Sequence, residues 1–288
     1  MIYNNIEYPL IVNPHYGAYP PYHTGDYLEE YFFKYQVNNK INTKRVFIPV
    51  SWTTLNMMGR TSEIQTVLNT LHAENYYYLV AFGDECLKYL TLPKNTKVYH
   101  ADGLYNGPDL VKIPVSCSRI PNAKQKTWNQ KTVLASFIGS NTQECRVELM
   151  NYIKGDSRLY GSMKNWSIHI TQSEYNLYKT VSENSKFVLC PRGNCPTSYR
   201  IYESMQLSAI PIDYSNESPN LPMQDKVDWN KLCLFANRNN IKNIIDQADA
   251  MTKEEWEDRV EYGRKCYEEY FNQEAVCKYI QQDLEKEI

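Results

Sequence analysis

The chain has 288 residues and a formal net charge of −2 with no long run of one sign, so its charge favours neither nucleic acid nor an anionic membrane as a partner. This length suits two domains of ordinary size. No apolar run approaches the length of a membrane span, and Met1–Pro9 lacks the charged and apolar regions of a secretory leader.

The first half of the chain alternates between short apolar segments and segments with a helical period. The predicted strands are Pro9–Asn13, Arg45–Val50, Tyr76–Phe82, Lys97–His100 and Leu110–Pro114. The predicted helices are Tyr27–Gln36 and Ser62–His72. Such alternation is typical of an α/β domain with a parallel sheet.

A second alternating set follows a polar, aperiodic segment, Pro121–Gln130, which we interpret as the linker between domains. Its predicted elements are the strand Thr132–Ile138 and the helices Gln143–Ile153, Ile241–Met251, Lys253–Tyr270 and Gln273–Leu284. The predicted domains are therefore 1–125 and 126–270, with 271–288 as a C-terminal helix.

Residues 186–213 form one strand–loop–helix–strand unit of this second set. An apolar run, Phe187–Cys190, stops at Pro191-Arg192-Gly193, and Thr197 or Ser198 can cap the helix that follows. Ala209–Ile212 is then a second buried strand. In parallel sheets, ligands bind outside the carboxyl ends of the strands, so the loop after Cys190 is a candidate binding site.

The residues of this unit suit an anionic ligand. Four groups attract a diphosphate: Arg192, the backbone N–H groups near Gly193, the helix start at Ser198, and Arg200 in the first turn. Glu203 lies three residues after Arg200 and projects from the same helix face, where its carboxylate can accept hydrogen bonds from ribose hydroxyls. The sequence therefore predicts a nucleotide-sugar site in outline.

A second phosphate contact is predicted where the strand Thr132–Ile138 ends. Gly139 and Ser140 allow a close approach of the backbone to a ligand, although an ordinary tight turn explains them equally well. Arg146, in the next helix, has two interpretations. It either reaches the diphosphate or forms a solvated pair with Glu144 or Glu148.

These same segments carry a resemblance to a known family. Residues 185–193, 198–205 and 209–212 resemble the motif of the exostosin-type glycosyltransferases, glycosyltransferase family 47. Weaker similarities follow in the family's order, at residues 47–50, 109–114, 137–139 with 146, and 221–222 with 228–229. The resemblance implies two Rossmann-like domains facing a cleft (the GT-B type), a UDP-sugar donor, a glycan acceptor and transfer with inversion. It also implies that the last helix packs back across the cleft.

Two further sets of site residues are predicted. Tyr160 and Gly161, after the predicted strand 157–159, are candidates for the nucleobase pocket. The general base is expected from the first domain, at the carboxyl ends of its strands. Asp26 is the first choice, and His15 and Asp84 are the alternatives.

We expect no metal cofactor, because the sequence lacks the Asp-x-Asp pair through which a divalent ion usually neutralises the donor diphosphate. Arginines and a helix N-terminus would perform that neutralisation instead. The transferred sugar can be a pentose, a hexose or a uronic acid.

Two alternatives remain open. Residues 182–185 weakly resemble GDP-fucose-dependent fucosyltransferases, but the Pro-Arg-Gly loop counts against that group. A catalytically inactive nucleotide- or glycan-binding protein is the other alternative, because the residues do not single out one base.

The eight cysteines are scattered, with no C-x-x-C pair and no spacing typical of metal ligands. Together with the polar start of the chain, this favours a soluble, cytoplasmic protein with reduced thiols. Cys190 and Cys195 flank the phosphate loop and are the pair to check for a disulfide bond.

Overall fold

The computed structural model describes residues 28–83, 85–101, 105, 107, 109–115, 119–167, 170–194, 196–216 and 221–287, together with the backbone of 2–3 and 6–7. These residues divide into two compact units. The described residues of the N-terminal unit run to 115 and resume at 273, whereas those of the C-terminal unit run from 119 to 272.

The N-terminal unit is built on a parallel sheet. Its strands are β1 (Ile2–Tyr3), β2 (Ile6–Glu7), β3 (Val46–Phe47), β4 (Tyr77–Ala81), β5 (Thr96–His100) and β6 (Leu110–Lys112). Its first helices are α1 (Leu28–Asn39), α2 (Trp52–Met57) and α3 (Thr61–Leu68). The sheet order is β3-β4-β5-β6, and β1 pairs only with β2. The predicted strand Pro9–Asn13 lies outside the described residues.

The core of this unit follows from its apolar periodicity. Every residue of β4 is buried, as is typical of a strand with helices on both faces. Ile64, Val67 and Leu68 form the inner side of α3 and pack in the same cluster as Leu79. Helix α3 ends at Leu68, four residues before the predicted end.

The C-terminal unit contains a five-stranded sheet. Its strands are β7 (Val133–Asn141), β8 (Leu159–Asn165), β9 (Ser185–Pro191), β10 (Ile210–Tyr214) and β11 (Leu234–Ala236). Its helices are α4 (Glu144–Lys154), α5 (Gln172–Asn184), α6 (Tyr199–Gln206), α7 (Trp229–Leu232), α8 (Ile241–Ala250) and α9 (Lys253–Cys266), with a 3₁₀ turn at Trp128–Gln130 and a π turn at Tyr267–Phe271. The last helix, α10 (Gln273–Glu285), belongs to the N-terminal unit.

The strand order of this sheet, β11-β10-β9-β7-β8, locates the binding edge. All pairs are parallel, and the order reverses between β7 and β9, so the chain leaves these two neighbouring strands toward opposite faces of the sheet. A ligand crevice is expected at the carboxyl ends of the strands at such a reversal. The predicted α/β class with two Rossmann-like domains is confirmed.

Two further observations concern membrane-spanning helices and the cysteines. No described helix is both long enough and apolar enough to cross a membrane. Cys190 is a buried free thiol, and its possible partner Cys195 lies outside the described residues.

Candidate functional site

The loop after β9 and the start of α6 form as the sequence predicts. Ser198 has extended backbone angles and caps α6, because its Oγ accepts a hydrogen bond from the backbone N–H of Arg200 at 3.4 Å. Ser198 is 3% exposed, so its described role is to fix the first turn of the helix. That turn carries Arg200 toward the end of β7.

Arg200 reaches across to the neighbouring strand. Its Nε and Nη2 both donate to the carbonyl oxygen of Ile138, at 2.9 and 2.6 Å, and its guanidinium carbon lies 5.3 Å from the centre of the Phe137 ring. Gly139 makes this approach possible: a Cβ at that position would lie 2.7 Å from Nη2 of Arg200. In the structure the arginine side chain makes this close approach, and the predicted approach of a ligand to Gly139 stays a prediction.

Glu203 lies one turn further along α6 and is 4% exposed. The hydroxyl group of Tyr178 in α5 donates a short hydrogen bond to its Oε2. Tyr178 is half-buried, and desolvation of its hydroxyl group, followed by the charge of Glu203, raises the pKa of Tyr178 well above its usual value. Tyr178 therefore stays protonated and holds the carboxylate of Glu203 in one orientation.

A pocket of about 230 Å³ lies beside these residues, within the C-terminal unit. It is bordered by the ends of β7 and β8, the first two turns of α5 and the start of α6. Its lining residues are Ile138, Gly139, Ser140, Ser162, Lys164, Ile170, Glu174, Tyr175, Leu177, Tyr178, Tyr199, Arg200 and Glu203. Four residues predicted for the donor site, Arg200, Glu203, Gly139 and Ser140, thus meet at one cavity.

The sequence interpretation missed the wall that α5 and β8 provide. Lys164 of β8 donates to Oε1 of Glu174 at 2.6 Å, and Oε2 of Glu174 accepts from the backbone N–H of Thr171 at 2.8 Å. Hydrogen bonds to Glu174 lower its pKa to about 2, and the bond from Lys164 has a larger effect than those from Thr171. Thr171 and Glu174 form a capping box, a pattern visible in the sequence that would have identified this helix.

Arg146 occupies a different environment. It is 6% exposed, and its guanidinium donates to the backbone carbonyls of Arg192, Ser140 and Pro191 at 2.8, 3.0 and 3.2 Å. It does not border the pocket. The structure thus places Arg146 between the carboxyl ends of β7 and β9, and its contact with the diphosphate stays a prediction.

The other predicted donor residues lie outside the pocket lining. Arg192 is partly exposed, and its side chain donates to the carbonyls of Gly193 and Asn194, each at 3.4 Å. Gly161 faces α4, since a Cβ there would lie 2.8 Å from Ile153. Tyr160 is 38% exposed and shares a strand face with the pocket residue Ser162. The roles of these residues stay predictions.

The three candidates for the general base, Asp26, His15 and Asp84, lie outside the described residues. In the described part of the N-terminal unit, the carboxylate of Glu29 accepts hydrogen bonds from Thr53 and from the backbone N–H of Phe82 at the end of β4. Burial, and then the charge of Glu30, raises the pKa of Glu29 to about 8.

Possible metal ligands among the described residues do not form a metal site. Across the described residues, no three side chains among His, Cys, Asp and Glu are grouped so as to hold a metal ion. The expectation of a metal-independent reaction stays a prediction.

Comparison with known proteins identifies the class. Residues 67–251 match the family model of the Exostosin GT47 domain, and the match covers more than half of the chain. Exostosin-1 of Drosophila melanogaster is 35% identical over 69 residues, which are 24% of this chain and 9% of that protein. The chain belongs to the exostosin GT47 family of glycosyltransferases.

Solved structures share the architecture only distantly. TarM has a TM-score of 0.45 at 10% identity, and the alignment covers 76% of this chain and 56% of TarM. Anabaena HepE in complex with UDP-glucose has a TM-score of 0.40 at 11% identity, with 90% and 77% covered. These TM-scores are low, so the fold assignment rests on the strand order of the chain itself.

Proposed function

We propose that the chain is an inverting glycosyltransferase that transfers a sugar from a UDP-sugar to a hydroxyl group of a glycan, without a divalent metal. The observation that carries the proposal is the pocket at which Arg200, Glu203, Gly139 and Ser140 meet. Membership of the exostosin family supports the reaction class. A cytoplasmic location remains part of the proposal.

The diphosphate and the ribose of the proposed UDP-sugar each have a matching residue. Arg200, at the N-terminus of α6, supplies positive charge to the diphosphate as the leaving UDP gains charge. The carboxylate of Glu203, oriented by Tyr178, accepts the hydrogen bonds of two ribose hydroxyls. Fixed cations and dipoles then stabilise the leaving group in the role that a metal ion has in other transferases.

The acceptor half of the reaction rests on the sequence. Inversion requires a single displacement, in which a base deprotonates the acceptor hydroxyl on the face opposite the leaving UDP. We propose Asp26 as this base, with His15 and Asp84 as alternatives. The sugar is a pentose, a hexose or a uronic acid.

The test measures binding of UDP by calorimetry and release of UDP from a panel of UDP-sugars, each with and without EDTA. We expect slow release of UDP into water, faster release with a suitable glycan, and changes of no more than about twofold on chelation. Loss of binding and release in EDTA, with recovery on addition of manganese, would contradict metal independence.

The same panel separates the alternatives. Binding of UDP with no release from any sugar nucleotide would favour a binding protein. Binding of GDP in place of UDP would favour a fucosyltransferase. Binding of neither would refute the proposed donor site.

A further inference from the structure

We infer that the ion pair of Lys164 and Glu174 reads the nucleobase of the donor and selects uracil. The inference rests on the proposed function, because it concerns the nucleoside end of the same ligand. It gives a role in specificity to two pocket residues that the proposed reaction does not use.

The size of the pocket indicates which part of the donor it holds. Its volume of about 230 Å³ is below the roughly 300–1,000 Å³ of sites that enclose a whole drug-sized ligand. A nucleotide sugar therefore enters only in part. Ile138, Leu177 and Tyr178 give the pocket apolar and aromatic surface, which suits a flat base better than a diphosphate or a sugar.

The strand order gives the direction in which the base lies. Helix α6, which carries Glu203, packs on β9 and β10, whereas Lys164 belongs to β8, the edge strand on the far side of β7. Strands β9 and β8 are two spacings apart, or roughly 10 Å. A nucleoside whose ribose is at Glu203 and whose base fills the pocket therefore extends toward Lys164.

The pair presents a donor and an acceptor side by side. The ammonium group of Lys164 is 2.6 Å from Oε1 of Glu174, and Oε2 is fixed by the backbone N–H of Thr171. Uracil presents a carbonyl beside a ring N–H, so the ammonium can donate to O4 while the carboxylate accepts from N3–H. Cytosine and adenine present the reverse order, an amino group beside a ring nitrogen acceptor, and would leave both charges mispaired.

Guanine shares the edge of uracil, with O6 beside N1–H. Its two fused rings occupy more of a small pocket, however, and its N2 amino group adds a donor that has to be accommodated. The hydrogen-bonding pattern therefore favours uracil over cytosine and adenine, and titration with GDP tests whether the larger guanine is excluded.

The experiment is a calorimetric titration of UDP, CDP and GDP into the intact chain and into the variants Lys164→Met and Glu174→Gln. We expect the unmodified protein to bind UDP at least about 30-fold more tightly than CDP, and both variants to reduce that ratio to about threefold. Glu174→Gln preserves the fold of α5, because Gln can serve at the same position of a capping box.

Lys242→Met is the matched control. The ammonium group of Lys242 also lies 2.7 Å from a carboxylate oxygen, that of Asp246, but on α8, which does not line the pocket. Its UDP-to-CDP ratio should equal that of the unmodified protein.

The outcomes separate this inference from the proposed function. Equal binding of UDP and CDP, or a ratio that neither pocket variant changes, overturns base reading and leaves the donor site standing. Tighter binding of GDP than of UDP overturns the selection of uracil. Binding of none of the three nucleotides refutes the proposed function and this inference together.

Discussion

Arg146 and Arg200 both lie near the carboxyl end of β7 but differ in their contacts. Their guanidinium carbons lie 5.8 and 5.3 Å from the centre of the same Phe137 ring, yet their surroundings differ. Arg146 is buried and donates to three backbone carbonyls, whereas Arg200 donates to one carbonyl and borders a pocket. The same chemical group therefore holds the ends of two strands together in one place and borders a pocket in the other.

The largest effects should come from exchanging these arginines for uncharged residues. Arg200→Ala should lower kcat about 10²- to 10³-fold, because it removes a fixed positive charge from the leaving group. Arg146→Met should lower the free energy of unfolding by about 3 kcal/mol, because it leaves buried carbonyls without donors. Turnover and urea unfolding are measured for both variants.

The comparison is wrong if Arg146→Met unfolds at the same urea concentration as the unmodified protein but turns over far more slowly. In that case Arg146 would contact the diphosphate as the sequence predicts. Arg146→Lys is a useful intermediate, since it keeps the charge but cannot reach three carbonyls with a planar fork of donors.

A comparable effect on stability tests how the sheet beneath the loop after β9 tolerates charge. Asp213 in β10 is 4% exposed, its Oδ1 has no hydrogen-bond partner among the described residues, and burial raises its pKa to about 7. The folded protein then holds a proton that the unfolded chain releases near pH 4, so stability should fall as the pH rises from 4 to 7.

Asp213→Asn should remove the part of this pH dependence that Asp213 contributes, while Glu29, whose raised pKa acts in the same direction, keeps its own part. At pH 8 the variant should be more stable by at most about 4 kcal/mol, and at pH 4 nearly unchanged. Urea unfolding across this pH range measures both. Asp246→Asn is the control, because the exposed Asp246 has a lowered pKa owing to Lys242 and Arg158, and its loss should not flatten the profile. A profile that Asp213→Asn leaves unchanged would show that Asp213 is already ionised.

The smallest effects should arise at the carboxylate end of the pocket. Glu203→Gln should weaken binding of uridine about tenfold, and Tyr178→Phe about threefold, because the first changes the acceptor and the second only its orientation. Calorimetry with uridine measures both without any contribution from phosphate. Tyr160→Phe is the comparison variant, and a larger loss there than at Glu203 would favour the nucleobase position that the sequence predicts, at Tyr160.

The part of the site that depends on local spacing could be predicted from sequence. Ser198 caps α6, and Arg200 and Glu203 project from one face of it, because a helical period fixes positions three residues apart. Arg200 and Glu203 accordingly line the same pocket.

The other wall could not be placed in the same way. The sequence predicts a strand at 157–159, whereas β8 begins at Leu159 and continues to Asn165. The polar residues Ser162 and Lys164 on its pocket face hide the apolar pattern by which the strand would be recognised. The meeting of Lys164 with Glu174 depends on how α5 packs against the sheet, and no spacing rule gives that contact. The backbone carbonyls to which Arg146 donates could not be read from any spacing, and its contact with the diphosphate stays a prediction.

The assignment of α10 to the N-terminal unit has a consequence for how the chain is made. The ammonium group of Lys97 in β5 lies 2.7 Å from both Asp283 and Glu287, and Tyr99 donates to Asp283 at 2.9 Å. A ribosome delivers these partners after every described residue of the C-terminal unit. The N-terminal unit therefore stays incomplete until the C-terminal unit has been synthesised, and until then Lys97 has neither carboxylate beside it.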